Sequence, residues 1–164
     1  DTSRVTTMYK MFWKWTTLTN LNINNFKTAN VTSMRSMFYL CSNLTTLTIG
    51  DWDTSSVTHM GGMFNRCDSL TTVNVSSFDT ANVQYMFDMF GNCGSLTTLD
   101  VSNFNTASAT DMRSMFAGCS SLTNAEVNFN SWCVSQLTSA SFWKSDFNKE
   151  AGFTNEPAWG EACD

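Results

Sequence analysis

Apolar residues recur along this chain at intervals of 26, and polar residues fill most of the positions between them. The repeating columns are Met8, Met34, Met60, Met86 and Met112; Met11, Met37, Met63, Met89 and Met115; Phe12, Phe38, Phe64, Phe90 and Phe116; Leu18, Leu44, Leu70, Leu96 and Leu122; and Cys41, Cys67, Cys93 and Cys119, with Trp15 in the first place. A fixed internal period of this size is typical of proteins built from stacked structural units. The pattern therefore predicts about five stacked repeats.

One repeat contains two different spacings of apolar residues. Met34, Met37, Phe38 and Cys41 follow one another at steps of three, one and three residues. This spacing predicts one buried face of an α-helix. The next segment, Leu44–Ile49, alternates Leu or Ile with Thr, which predicts a half-buried β-strand. Each repeat is thus expected to consist of a strand, a loop and a short helix.

Such units bury their apolar faces only when they stack on one another. The sequence predicts an α/β fold, a right-handed solenoid with a parallel sheet on one face and helices behind it. The stretch Leu18-x-x-Leu21-x-Ile23 fits the strand signature of leucine-rich repeats. The repeats are expected to occupy residues 1–130, followed by a C-terminal capping segment over residues 131–164.

A known family has closely similar repeats. The string Met-Phe-x-x-Cys-x-x-Leu-Thr-x-Leu-x-Val-x-x-Phe-x-Thr, as in Met89–Thr106, resembles the 26-residue repeat of BspA-like bacterial surface proteins. The resemblance implies a secreted or cell-surface protein involved in adhesion. The last segment, with Trp132, Cys133 and Cys163, resembles the end cap of such arrays. A disulfide between Cys133 and Cys163 is expected to hold the cap down, which implies an oxidising compartment.

Composition and charge exclude several other classes of protein. The chain is 42% hydrophobic and 13% aromatic, which argues against intrinsic disorder. No apolar run is long enough to span a membrane. The formal net charge of -5 argues against nucleic-acid binding. A single His and the absence of any catalytic or phosphate-binding motif predict a protein that is not an enzyme and needs no cofactor or metal.

The polar face of the predicted sheet is the candidate ligand-binding site. Its outward positions are Asn20, Thr46, Thr72, Thr98 and Asn124 in one column and Asn22, Thr48, Asn74, Asp100 and Glu126 in the next. Repeat proteins commonly bind partners on an extended face of this kind. Residues 1–40 carry five Lys or Arg and one Asp, whereas residues 41–164 carry four against thirteen acidic residues. This asymmetry can orient a partner, and we expect that partner to be a protein or a glycan.

Four further features have a structural and a functional interpretation. The Cys column fits buried free thiols better than a metal ladder, and the Met and Phe columns fit a packed core better than a cofactor pocket. His59 is interpreted as a solvated residue at a helix start. Asp51 and Asp53 could bind calcium, but turn residues are the favoured interpretation, because neighbouring repeats do not keep both carboxylates.

Two other functions stay open at the level of sequence. Thr46-x-Thr48 and the column through Thr45 could order water as an ice-binding protein does, although Asn74 and Asp100 interrupt the array. The chain could also be a structural spacer that displays another domain. Its first residues match those from Asp53 onwards, so it begins in mid-repeat and is expected to be a piece of a longer array.

Overall fold

The chain winds into stacked coils of 26 residues, in a computed structural model that describes residues 1–122, Trp132 and Leu137. Strand β1 is Asn20–Asn22 and strand β2 is Thr46–Thr48. They pair in parallel, with Leu21 opposite Leu47. Because paired residues are one repeat apart, each repeat of the sequence forms one coil of the stack.

Single parallel bridges continue the same register through the other coils. On the strand side, Thr72 pairs with Thr98. On a second side of each coil, the bridged column is Thr7, Ser33, His59, Tyr85 and Asp111. The predicted stacking of the repeats and the parallel pairing of their strands are confirmed in the described coils. The right-handed sense of the winding stays a prediction.

The predicted helix is wrong: no helix is present in the described part of the chain. In the second coil, the segment 34–41 instead forms successive β-turns. The amide of Met37 donates to the carbonyl of Met34 at 3.2 Å, and that of Cys41 to the carbonyl of Phe38 at 3.0 Å. The amide of Tyr39 likewise donates to the carbonyl of Ser36 at 3.2 Å, and the alternate amides donate to the next coil, in the pairs Ser36–Gly61 (3.0 Å), Phe38–Met63 (2.9 Å) and Leu40–Asn65 (2.9 Å). An α-helix would close all of these bonds within itself, whereas here half of them join neighbouring coils.

Two positions of each turn segment have a left-handed backbone. In the second coil they are Ser36, with φ of 54°, and Leu40, with φ of 62°. The equivalent residues of the other coils are Lys10, Lys14, Gly62, Arg66, Asp88, Asn92, Ser114 and Gly118. A positive φ costs a residue other than Gly about 1–2 kcal/mol, so the ladder of hydrogen bonds between coils must offset this strain repeatedly. The turns direct the same side chains inward as a helix would, so the spacing of apolar residues cannot distinguish the two structures.

The core lies between the turn segments and the strands. The rings of one Phe column stack nearly parallel, with centroid distances of 5.4 Å from Phe12 to Phe38, 5.5 Å from Phe38 to Phe64, 5.4 Å from Phe64 to Phe90 and 5.7 Å from Phe90 to Phe116. Both Met columns are buried beside these rings, apart from Met11 of the first coil, which is partly buried. The prediction that these columns form a packed core is therefore confirmed.

At the far end of the described stack, Trp132 packs against the last coil. Its ring lies 6.4 Å from that of Phe104 and 6.5 Å from that of Phe116, and the side chain is buried. The rest of segment 131–164, apart from Leu137, lies outside the described residues. So do Cys133 and Cys163, and their disulfide stays a prediction.

Candidate binding faces

Eight of the ten residues predicted to bind a ligand lie exposed on the strand side of the coils. They are Asn20, Asn22, Thr46, Thr48, Thr72, Asn74, Thr98 and Asp100, which we call the strand face. Parallel pairing places Asn20 beside Thr46 and Thr72 beside Thr98. The remaining two, Asn124 and Glu126, lie outside the described residues. The strand face is thus an ordered polar surface, repeated from coil to coil.

Three side chains in the second column of this face also hold the backbone that follows them. The side-chain Oδ1 of Asn22 accepts a hydrogen bond from the amide of Asn24 at 3.2 Å. Asn74 and Asp100 make the same bond to the residue two positions later, at 3.0 Å and 2.9 Å. The hydrogen bonds that Asp100 accepts lower the pKa of its carboxyl. These side chains stabilise turns, and a ligand would meet only their remaining lone pairs and amide groups.

The Thr residues at the edge of the strand face are held in fixed positions. The hydroxyl of Thr45 donates to the carbonyl of Thr19 at 3.0 Å, and that of Thr97 to the carbonyl of Thr71 at 3.3 Å. Each hydroxyl keeps acceptor lone pairs directed to solvent. The strand face therefore offers an array of oriented acceptors beside the strand residues.

A second exposed surface was missed by the sequence analysis. Tyr9, Lys10, Trp13 and Lys14 of the first coil and Arg35 of the second form a continuous set of cation–ring contacts, which we call the cation–aromatic cluster. The signal was the excess of Lys and Arg in residues 1–40 combined with a segment in which aromatic and basic residues alternate. The contact between coils could not be seen in the sequence, because it depends on the stacking.

Comparison with known proteins identifies the repeat family. The family described as "Mycoplasma protein of unknown function, DUF285" matches residues 1–73 and 41–156, which together make up most of the chain. The chain belongs to this family. The match confirms the resemblance to BspA-like repeats.

Two other comparisons add little. The crystal structure of the T. pallidum leucine-rich repeat protein (TpLRR) is similar to the chain at 18% sequence identity, with a TM-score of 0.43, over 90% of this chain and 77% of that one. No curated protein matches the chain.

The DUF285 Cys column consists of buried free thiols, as predicted, at Cys41, Cys67, Cys93 and Cys119. Each Sγ–H donates to a Phe carbonyl of the preceding coil, in the pairs Cys41–Phe12 (3.1 Å), Cys67–Phe38 (3.3 Å), Cys93–Phe64 (3.2 Å) and Cys119–Phe90 (3.1 Å). Burial raises the pKa of Cys41 to about 11 and that of Cys119 to about 12. Since the thiolate is the nucleophile and the metal ligand, these groups are unreactive near neutral pH.

The interpretation of His59 as a solvated residue at a helix start is wrong. The residue is half-buried in the bridged column, and its Nδ1 accepts a hydrogen bond from the amide of Gly61 at 3.2 Å. Its ring packs 5.0 Å from that of Tyr85 and 5.6 Å from that of Phe87. Burial, aided by the nearby charge of Arg35, lowers the pKa of the imidazole. The stacking of coils buries this position, which a single repeat leaves open.

Asp53 acts as a turn residue, as favoured by its sequence. Its Oδ1 accepts hydrogen bonds from the Ser55 hydroxyl at 2.6 Å and the Ser55 amide at 3.1 Å. These bonds lower the pKa of the Asp53 carboxyl. Among the described residues, no group of three or more His, Cys, Asp or Glu side chains is placed to hold a metal ion. Nor does the described part of the chain contain a helix that could cross a membrane.

Proposed function

We propose that the chain is a non-enzymatic binding module of a secreted or cell-surface protein. In this proposal it recognises a protein or glycan partner through the strand face and so contributes to adhesion. The supporting observation is the register of the stack, which repeats exposed Asn and Thr side chains through the four coils whose strand side is described. The scaffold is rigid, since the parallel ladder and the buried ring column fix each coil on its neighbours. Ligand binding to such a face costs little conformational entropy.

The shape of the partner follows from the spacing of the coils. Neighbouring strands in a sheet lie about 4.8 Å apart, so the columns present hydrogen-bonding groups at a regular linear repeat. An extended partner with its own short repeat, such as a polypeptide strand or a glycan, matches this arrangement. The acidic residue Asp100 follows three coils whose equivalent residues are uncharged, which gives the face a direction.

The test is a binding screen with matched charge variants. We would apply the chain to a glycan array and to an array of purified extracellular-matrix proteins. Thr72→Lys/Thr98→Lys places two bulky charges on the strand face. Thr32→Lys/Thr58→Lys places the same charges on exposed Thr residues of the other bridged side. We expect at least one probe to bind the unmodified chain and the control, and to bind the strand-face variant at least about tenfold more weakly.

Two outcomes would replace the proposal. Thermal hysteresis with ice shaping, lost in Thr72→Lys/Thr98→Lys, would identify an ice-binding protein instead. Absence of binding to every probe, with cell adhesion unaffected by the strand-face substitutions, would indicate a structural spacer. The predicted Cys133–Cys163 disulfide belongs to the same proposal, and intact-mass analysis showing six free thiols would contradict it.

A further inference from the structure

The cation–aromatic cluster joins the first two coils through five side chains. The Nζ of Lys10 lies 4.7 Å and that of Lys14 4.4 Å from the ring centre of Trp13. Lys10 also lies 5.1 Å from the ring centre of Tyr9, and the guanidinium of Arg35 lies 5.8 Å from that ring. The cations are therefore held near aromatic surfaces instead of extending freely into solvent.

The rings of this cluster are exposed although large apolar groups are usually buried. Tyr9 is 46% exposed and Trp13 is 38% exposed. Elsewhere in the described stack, the positions equivalent to Trp13 are Tyr39, Asn65, Gly91 and Ala117, none of which is as exposed. Exposed aromatic side chains beside cations are enriched in binding sites, because they combine a rigid apolar surface with charge.

The positive charges of the cluster are not neutralised within the described part of the chain. The ion pair present there joins Arg113 to Asp111, at 2.6 Å. Lys10, Lys14 and Arg35 have no carboxylate within ion-pair distance among the described residues. Three cations with oriented positions and no acidic partner form a local positive field that attracts anionic groups.

The aromatic surface continues along the stack beyond these five residues. The Arg35 guanidinium also lies 5.8 Å from the ring centre of Phe87, which packs on His59. Gly61 makes this possible, since a Cβ there would lie 2.7 Å from the Phe87 ring. The strip runs from the first coil to the fourth, or three coil spacings of about 4.8 Å each. Its shape is long and narrow, as suits a linear polymer.

We propose that the cation–aromatic cluster binds an acidic polysaccharide, a sugar chain that carries carboxylate or sulfate groups. The faces of Tyr9 and Trp13 would stack on the apolar faces of the sugar rings. Lys10, Lys14 and Arg35 would pair with the anionic groups. The net charge of -5 disfavours polymers with a charge at every unit of the backbone, such as nucleic acids. The site lies outside the strand face and goes beyond the function proposed above.

The test measures binding to four polymers: a polyuronate, dextran sulfate, neutral dextran and oligo-dT. The first variant is Lys10→Asn/Lys14→Asn, which should keep the fold because Asn tolerates a left-handed backbone, as Asn92 does at the position equivalent to Lys14. The second is Trp13→Ala. The control is Arg4→Gln/Lys27→Gln, which removes the same charge from two exposed residues outside the cluster.

We expect the unmodified chain to bind one or both acidic polysaccharides, and the stronger of the two identifies the anion. Binding should fall about tenfold in Lys10→Asn/Lys14→Asn and about fivefold in Trp13→Ala, and change less than about twofold in the control. Circular dichroism checks that each variant is folded. Equal binding to neutral dextran, tighter binding to oligo-dT, no binding to either acidic polymer, or an equal loss in the control would each overturn the proposal.

The proposal for the cation–aromatic cluster can be tested separately from the proposal for the strand face. The strand-face variant Thr72→Lys/Thr98→Lys should bind acidic polysaccharide at least as tightly as the unmodified chain does, because it adds positive charge and leaves the cluster intact. If that variant loses the polysaccharide while the cluster variants keep it, the ligand lies on the strand face and the cluster proposal is wrong. If neither set of substitutions reduces its binding, the polysaccharide binds elsewhere and the cluster proposal is equally wrong.

Discussion

Arg66 provides a direct test of the turn ladder, because its exposed side chain leaves the backbone conformation as the main variable. Its φ is 60°, and its amide donates to the carbonyl of Gly91 in the next coil at 2.9 Å. We compare Arg66→Gly with Arg66→Ala. Both variants lose the same charge, including its lowering influence on the pKa of Asp68, so this effect cancels in the comparison.

The expected difference follows from the left-handed backbone at this residue. At this φ, a residue other than Gly costs about 1–2 kcal/mol of stability. Gly itself costs about 0.5–1 kcal/mol relative to Ala, because its unfolded chain has more conformational entropy to lose. Arg66→Gly should therefore be more stable than Arg66→Ala by about 0.5–1 kcal/mol. A helix at this segment predicts the opposite sign, with Ala favoured by about 0.8–1 kcal/mol.

The measurement is urea unfolding followed by tryptophan fluorescence and circular dichroism. The two variants are compared at equal m, so that the shift of the midpoint reports stability alone. Thr58 is the control site, because it is exposed and does not have a positive φ. Thr58→Ala should there be more stable than Thr58→Gly by about 0.5–1 kcal/mol. If Arg66→Ala proves more stable than Arg66→Gly, the turn ladder is refuted.

Three other predictions concern the stability of the stack. Gly118→Ala should lower the free energy of unfolding in urea by about 1–3 kcal/mol, because φ is 75° and the new Cβ would lie 2.7 Å from a side-chain oxygen of the preceding coil. The control Gly94→Ala, whose new Cβ has its nearest contact at 3.9 Å, should change stability by less than about 1 kcal/mol. Burial raises the pKa of Cys67 and Cys93, so the folded state keeps both thiols protonated at a pH where the same thiols ionise in the unfolded chain. The free energy of unfolding should therefore be constant below pH 9.0 with respect to these groups and fall as the pH rises above it. In unfolding curves measured across this range, Cys67→Ala/Cys93→Ala should show a weaker dependence on pH. Thr80→Val should lower the unfolding free energy by about 1–3 kcal/mol, because the buried hydroxyl donates to the carbonyl of Asn105 at 2.9 Å and accepts from the amide of the same residue at 2.8 Å. Unchanged stability would show that these two hydrogen bonds make no net contribution.

The register of the coils and the identity of the core could be predicted from the sequence. Columns such as Met34, Met60 and Met86 recur only if equivalent residues stack, so their contacts follow from the period alone. The helix could not be distinguished from the turns, because both bring Met34 and Phe38 to the same side. The left-handed positions left a partial signal in Gly62 and Asn92, residue types that tolerate a positive φ. The signal is incomplete because Leu40, the residue equivalent to Asn92 in the second coil, is not a residue type that favours a positive φ.

The candidate site was predictable to a similar extent. Alternation along the strand correctly placed Thr46 and Thr72 on the outside. It could not show that Asn74 caps its own turn, because that bond depends on the backbone conformation after the strand. The approach of Arg35 to the ring of Tyr9 was likewise hidden, since the two residues lie one coil apart in the chain.

Repetition itself separates structural from functional residues in this fold. Side chains kept in every coil are largely used within the stack, as when the buried hydroxyls of Thr28 and Thr54 donate to carbonyls of the next coil. A ligand that distinguishes one coil from another must contact positions where the columns change. The position of Lys10 in the first coil becomes Asp88 in the fourth, and that of Lys14 becomes Asn92. The two lysines of the first coil therefore have no basic equivalent in the fourth, and an anionic ligand should bind near the first coil.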